Sequence, residues 1–307
     1  MPEDISNLDN FRFSGHESFP CRYAWLPKVY RALTDNRSAF ADTEQAMVIL
    51  GVGKNMVQSI RFWIQVADIA IPEQGGSYRI SDFGQSVLGN LDPYLEDIRT
   101  LWLIHWKIST HTEKPLFAWY YLLYHWHKDI SKTEVLQTFR RVTNRLSREL
   151  SDTTLERHFD IFLHTYFPAR SNKGVFQEDN LDCPLVELGL IQEIGERVVN
   201  NADKREAVYS FRYDEKPEIS PALFAYCLHE FWEKYHNNEQ TLSFRHIAFN
   251  PGSPGQVFKL PEWDIRQRLE AISGDSDGQF SYQESANIQR VIRTTLHQRD
   301  LLLAIYE

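Results

Sequence analysis

Between Phe13 and Lys28 the chain reads FSGHESFPCRYAWLPK, which sets His16, Glu17, Ser18, Cys21, Arg22, Tyr23 and Lys28 within sixteen positions. An imidazole, a carboxylate and a guanidinium in so short a segment offer a base or metal ligand, a second ligand and a phosphate clamp. Phosphodiester cleavage needs such groups to activate a nucleophile, stabilise charge on the phosphate oxygens and help the leaving oxygen depart. His16, Glu17 and Arg22 are therefore the candidate catalytic residues. The competing account is a structural strap whose aromatics, Phe13, Phe19, Tyr23 and Trp25, pack on the core.

Other titratable clusters carry less. In YHWHKD, His125 and His127 lie near Asp129, but alternate residues of a helix do not share a face. In HEFWEKYH, His229, Glu233 and His236 do share one, with no fourth ligand in sight. Neither an HEXXH motif nor an acidic pair followed by Glu-x-Lys in a strand is present, so no familiar metal-nuclease core can be read and the metal ligands stay unassigned. Cys21, Cys183 and Cys227 are odd in number and far apart, which indicates reduced, buried thiols rather than disulfides or a zinc site.

Any such chemistry needs elements that present it to a substrate. From Thr43 the chain runs TEQAMVIL, GVG, KNMVQSIRFWIQVADIA and IPEQGGSYRISDFGQSVLG. This order predicts a helix, a turn at Gly51–Gly53, a second helix, and a wing turned at Gly75-Gly76, together a winged helix-turn-helix between Thr43 and Gly89. At helical spacing Met56, Ile60, Trp63 and Ala67 form a core stripe edged by Val57 and Ile64. The opposite face carries Lys54, Gln58, Arg61 and Gln65, groups that reach phosphates and base edges from a major groove. Asn55 could cap this helix or touch phosphate, and Arg79 on the wing could reach the adjacent backbone. A plainly solvated face or a protein-docking winged helix would read the same way.

Further along, a helix over Leu136–Leu150 places Leu136, Phe139, Leu146 and Leu150 on one side and Arg141, Arg145 and Arg148 on another. Three guanidiniums so arranged suit phosphate tracking, or an ion-paired surface. Short strands are expected at Ser77–Ser81, Val208–Tyr213 and Gln256–Leu260. Residues 183–235 could form a second winged unit of helix, hairpin and helix, and Ser285–Glu307 reads as a closing amphipathic helix. The fold class expected is mainly α: an N-terminal winged-helix domain over residues 1–126 and a helical domain with short hairpins over 127–307.

With 307 residues, 42% hydrophobic and 13% aromatic, the chain can bury a sizeable core. A net charge of −9 weighs against indiscriminate coating of nucleic acid and confines DNA contacts to local patches. No apolar run approaches membrane-spanning length and the first ten residues are acidic, so a cytoplasmic protein with no membrane role is expected.

Three motifs, FSGHESFPCRYAWLPK, LGVGKNMVQSIRFW from Leu50 and LEDIRTLWLIHWKIST from Leu95, together resemble the bacterial family typified by SspB. The resemblance implies a role in single-strand DNA phosphorothioation and anti-phage defence, beside a cysteine desulfurase, an ATPase and a sulfurtransferase, with the SspB-type member nicking double-stranded DNA. The expected function is thus a nicking endonuclease using Mg²⁺ or Mn²⁺. The alternatives are a non-catalytic DNA-binding adaptor that recruits the ATPase and sulfurtransferase, or a protein-interaction module.

Overall fold

The computed structural model describes residues 8–146, 149–168, 183–199, 205–285, 288–294 and 300–307. The chain is mainly helical with small antiparallel sheets, and it divides into two compact units, Met1–Phe211 and Arg212–Glu307. No described helix is long and apolar enough to cross a membrane.

The first unit opens with a strap that leads into α1 (Trp25–Asp35), α2 (Thr43–Leu50) and α3 (Lys54–Val66). Asp42 caps α2 by accepting from the Gln45 N–H at 2.8 Å. Gly51 ends α2 at φ 67°, a left-handed conformation that glycine adopts without a Cβ penalty. Gly53, by contrast, has φ −76° and only precedes α3. After α3 come β1 (Ala70–Pro72) and β2 (Tyr78–Ile80), paired with Ile71 opposite Arg79 across the Gly75-Gly76 turn, then the short α4 (Asp82–Ser86).

α5 (Ile98–Ser109) is buried on every side from Thr100 to Ser109, which explains why it carries Trp102, Ile104, Trp106 and Ile108 without an amphipathic stripe. After it come α6 (Phe117–Tyr124), the two-residue β3 (Ile130–Ser131), α7 (Lys132–Arg145) and α8 (Asp152–Tyr166). Aromatic edges join them: Phe117 meets Phe139 at 4.9 Å and Trp119 meets Phe162 at 5.1 Å between ring centroids. β4 (Ile191–Val198) and β5 (Arg205–Phe211) complete the unit, and β5 also pairs with β3.

Those contacts explain why the expected boundary at residue 126 is not where the structure divides. Residues on both sides of it, Phe117 and Trp119 with Phe139 and Phe162, share one core. The expected helix–hairpin–helix unit over 183–235 is likewise cut between Phe211 and Arg212, because its hairpin is tied by Ile130 opposite Tyr209 to the first unit's sheet.

The second unit contains α9 (Pro221–Tyr235), β6 (Thr241–Ser243), α10 (Phe244–Phe249), α11 (Pro254–Phe258), α12 (Glu262–Asp275), β7 (Phe280–Ser285), β8 (Ile288–Arg293) and α13 (Leu301–Ala304). Its antiparallel sheet has the order β6-β8-β7, and Trp232 of α9 stacks on Phe280 at 5.7 Å. Two expectations fail here. Gln256–Leu260 is not a strand: Ser253 caps and Pro254 opens a helical turn, which overrides the β-like Val-Phe pair. Ser285–Glu307 is not one helix either, since β8 is claimed by pairing with both β6 and β7. The turn punctuation at Ser171–Gly174 and Asn200–Lys204 predicts loops that lie outside the described residues.

Candidate functional site

The N-terminal strap is positioned by its backbone. The Phe117 N–H donates to the Arg12 carbonyl at 3.1 Å and the Arg12 N–H to the Pro115 carbonyl at 3.0 Å, and Phe13 stacks on Phe117 at 4.7 Å. Gly15 sits at φ 110° with Phe62 of α3 so close that a Cβ would come within 2.9 Å of its ring. Beyond it the Phe19 carbonyl accepts from the Trp63 indole at 3.0 Å and from the Ser59 hydroxyl at 3.3 Å. The motif is therefore clamped between α3 and α6.

His16 is buried, and its ring is fully engaged. The Ala118 N–H donates to His158 Nε2 at 2.9 Å, which leaves His158 Nδ1 protonated to face His16 Nε2 at 3.0 Å. His16 Nδ1 in turn donates to the Glu17 carbonyl at 3.0 Å. One tautomer assignment satisfies all four ring nitrogens with both rings neutral. Burial lowers the pKa of His16 to about 4, and burial beside His16 holds that of His158 well below its ordinary value.

This arrangement corrects the picture of His16, Glu17 and Arg22 converging on a cleft. His16 has no ring nitrogen left for a substrate or a metal. Glu17, at φ 54°, is half-buried, and the half-buried Arg22 has its guanidinium 5.7 Å from the centre of the Trp25 ring. Of the aromatics in the strap account, Phe13 and Trp25 are buried as it requires, whereas Phe19 and Tyr23 are half-buried. Sequence spacing could not reveal His158, which lies 142 residues away.

On α3 the expected division of faces holds only partly. Val57, Ile60, Trp63 and Ile64 are buried, but Met56 is half-buried, while Ser59, Phe62 and Val66 are buried without having been expected. Helix α3 is covered on more than one side, so its core face is wider than one stripe. Lys54 and Asn55 are exposed, whereas Gln58, Arg61 and Gln65 are half-buried. Arg61 Nη1 donates to Thr43 Oγ1 at 3.2 Å and Gln58 Oε1 at 3.4 Å, and its Nη2 donates to the Phe40 carbonyl. Gln65 donates to the Tyr78 hydroxyl at 3.3 Å. These side chains join α3 to the start of α2 and to β2. Arg79 is exposed and lies 3.7 Å from Glu73 across the hairpin.

The open face beside Lys54 is apolar in a way the sequence reading missed. Val48 is 83% exposed and Ile49 44% exposed on α2. With Met47, Val52 and Met56 near it, Val48 lines an open groove of about 1150 Å³ whose rim carries Asp42, Glu44 and Lys54.

A second concave site lies where α6 gives way to α7. α6 ends at Tyr124, so His125 and His127 are not alternate residues of one helix but part of the connecting turn. They line a cavity of about 420 Å³ together with Lys128 and the Gln137, Thr138 and Arg141 side of α7. Asp129 does not line it; instead its carbonyl accepts from the Trp126 indole at 3.2 Å. Arg141 and Arg145 are exposed, and Arg148 lies outside the described residues. The structure thus brings together YHWHK and Arg141 of the arginine stripe, which the sequence presented as separate features.

Among the described residues no group of three or more His, Cys, Asp or Glu side chains is arranged to hold a metal ion. In the second unit Glu233 pairs with Arg293, and His236 Nδ1 lies 2.6 Å from Glu239 Oε1, so Glu233 and His236 of HEFWEKYH are directed to separate partners. The described residues therefore form no all-protein cage for a divalent cation. All three cysteines are buried and free of disulfides, as their spacing indicated.

A family model described as a protein of unknown function, DUF4007, matches residues 13–306. The chain belongs to this family. No curated relative matches its sequence. Among solved structures, the fold resembles a crystal structure of magnesium ion-bound SspB with a TM-score of 0.79 and 23% identity, covering 94% of this chain and 85% of that one. A second SspB crystal structure aligns with a TM-score of 0.77 and 24% identity over the same shares.

Proposed function

We propose that this protein is the DNA-nicking member of a bacterial phosphorothioation system. The observation that carries the reading is the SspB-like architecture along 94% of the chain, added to the SspB-type motifs in its sequence. In this reading α2, α3 and the β1–β2 hairpin act as a winged helix. Lys54, Asn55 and Arg79 are its exposed contacts, and Gln58, Arg61 and Gln65 set the helix against its neighbours while presenting what remains of their surface. Arg141, Arg145 and Arg148 contact strand phosphates. A cysteine desulfurase, an ATPase and a sulfurtransferase are the partners this role requires, and Mg²⁺ or Mn²⁺ is the cofactor proposed for the cut.

Purified protein incubated with supercoiled plasmid in Mg²⁺, Mn²⁺ or chelator tests the reading. Conversion to open circle with metal, and none with chelator, is expected. Intact supercoiled plasmid under every condition would sink it.

One observation favours a second reading, an adaptor that docks protein rather than cutting DNA. Val48 and Ile49 expose apolar surface on the helix-turn-helix face, where a DNA contact would more often carry polar groups. Under that reading Val48→Asp abolishes capture of the partner proteins and leaves DNA binding unchanged.

A further inference from the structure

The cavity between the α6–α7 turn and α7 has a charge pattern that the arginine stripe alone does not explain. Of the α7 cations away from the cavity, Lys132 and Arg140 are committed and Arg145 is exposed. Lys132 pairs with Glu156 at 2.7 Å and with Asp160 at 2.9 Å, and Arg140 pairs with Asp152 at 2.5 Å. The cavity's own acid is also committed, since Glu134 pairs with Arg197 at 2.7 Å, and Arg197 reaches Glu206 at 2.9 Å as well. What is left facing the cavity is positive. Among the described residues neither Lys128 nor Arg141 is held in an ion pair, in a chain with 42 carboxylate residues to choose from.

The remaining lining suits one kind of ligand. Gln137, Thr138 and Arg141 share a face of α7 at spacings of four and three. Arg141 offers a planar fork of donors, Lys128 an ammonium, Gln137 an amide and Thr138 a hydroxyl, all capable of donating to anionic oxygens. His127 adds an imidazole. The turn is fixed from below by buried Trp126, and buried Tyr121 lines the cavity beside Arg141. A volume of about 420 Å³ lies in the range of small-ligand sites and accommodates a phosphate with its sugar.

We infer that this cavity is a phosphate-binding site, formed by His127, Lys128, Gln137, Thr138 and Arg141, that takes a backbone phosphate of a DNA strand. The assignment of the strand as the source rests on the DNA-acting reading. The phosphate chemistry itself stands on the cavity. A chain with net charge −9 engages DNA locally, and this cavity supplies one such place.

The test uses the full-length protein in chelator, so that no cutting intrudes. Binding of a fluorescein-labelled oligothymidylate is measured by anisotropy at rising salt, for wild type and for the Lys128→Ala/Arg141→Ala double variant. Thermal melting of both proteins is followed in parallel. Since both side chains are solvent-accessible, melting should not change, while affinity should fall at least tenfold and the salt dependence should flatten. Gln137→Leu, which keeps the positive charge, should weaken binding several-fold.

Equal affinity in wild type and the double variant would overturn the inference. Competition distinguishes the source: thymidine monophosphate or inorganic phosphate displacing the oligonucleotide at equal molar concentration would overturn the strand as ligand. Plasmid that stays supercoiled while the oligonucleotide binds through Lys128 and Arg141 counts against the nicking reading alone. Nicking that persists with binding indifferent to both residues counts against the cavity alone.

Discussion

Replacing His16 by Gln should make the folded state less sensitive to acid, and the size of that change follows from the histidine chain. Buried and neutral, His16 has its pKa lowered to about 4 from an ordinary 6.5, first by burial, and also by the positive charge of Arg157. A base with a depressed folded pKa takes up its proton on unfolding when the pH lies between those values. Its contribution to stability is therefore complete above about pH 6.5 and is lost as the pH falls toward 4. For His16 alone the loss between pH 7 and pH 5 is about 2 kcal/mol, and it reaches about 3 kcal/mol at pH 4. His158, shifted in the same direction, adds to the slope. Gln at position 16 keeps an amide oxygen near the place of His16 Nε2 to accept from His158, but it does not titrate. At pH 7 the variant should be less stable by about 1–2 kcal/mol, through the lost bond to the Glu17 carbonyl and poorer packing on Phe62. Its stability should then fall by about 2 kcal/mol less than wild type between pH 7 and pH 5. Urea unfolding followed by tryptophan fluorescence at these two pH values reads both quantities. Parallel loss of stability in the two proteins would refute the neutral, buried His16–His158 pair.

Arg61→Ala should lower stability by about 1–2 kcal/mol, because its guanidinium binds the Phe40 carbonyl and Thr43 at the start of α2; an unchanged melting temperature with weakened DNA binding would restore it as a free DNA contact. Glu17→Gln should leave melting near that of wild type, since Glu17 is half-buried and its structural contact is made by its backbone carbonyl; loss of plasmid nicking in this stable variant would place its carboxylate in the chemistry, and full nicking would exclude it. Lys216→Met should destabilise the second unit by about 1–3 kcal/mol, because backbone carbonyls lose their donor. The wholly buried Lys216 ammonium donates to the Arg212 carbonyl at 2.9 Å, the Asp214 carbonyl at 3.0 Å, Asp214 Oδ1 at 2.9 Å and the Lys259 carbonyl at 3.3 Å, and calorimetry of full-length protein would refute this by showing no transition at lower temperature.

Local chemistry made the helix–turn–helix–hairpin order legible from residues alone. The left-handed Gly51 and the Gly75-Gly76 turn act within a few positions of the structure they enforce, so their meaning survives without knowledge of the rest of the fold. The core stripe on α3 was readable in Ile60 and Trp63 for the same reason. The fates of the polar residues were not readable. His16 looked like a catalytic base until His158 arrived from α8, and Arg61 looked like a DNA contact until the Phe40 carbonyl came within its reach. Periodicity identifies the face a side chain occupies but not the partner that folding brings to that face. The same limit hid β8, whose strand character comes from pairing with β6 and β7, and the cavity that joins His127 and Lys128 to Arg141. A hydrogen bond or ion pair is decided by which groups meet after the chain closes on itself, and sequence separation carries no record of that meeting.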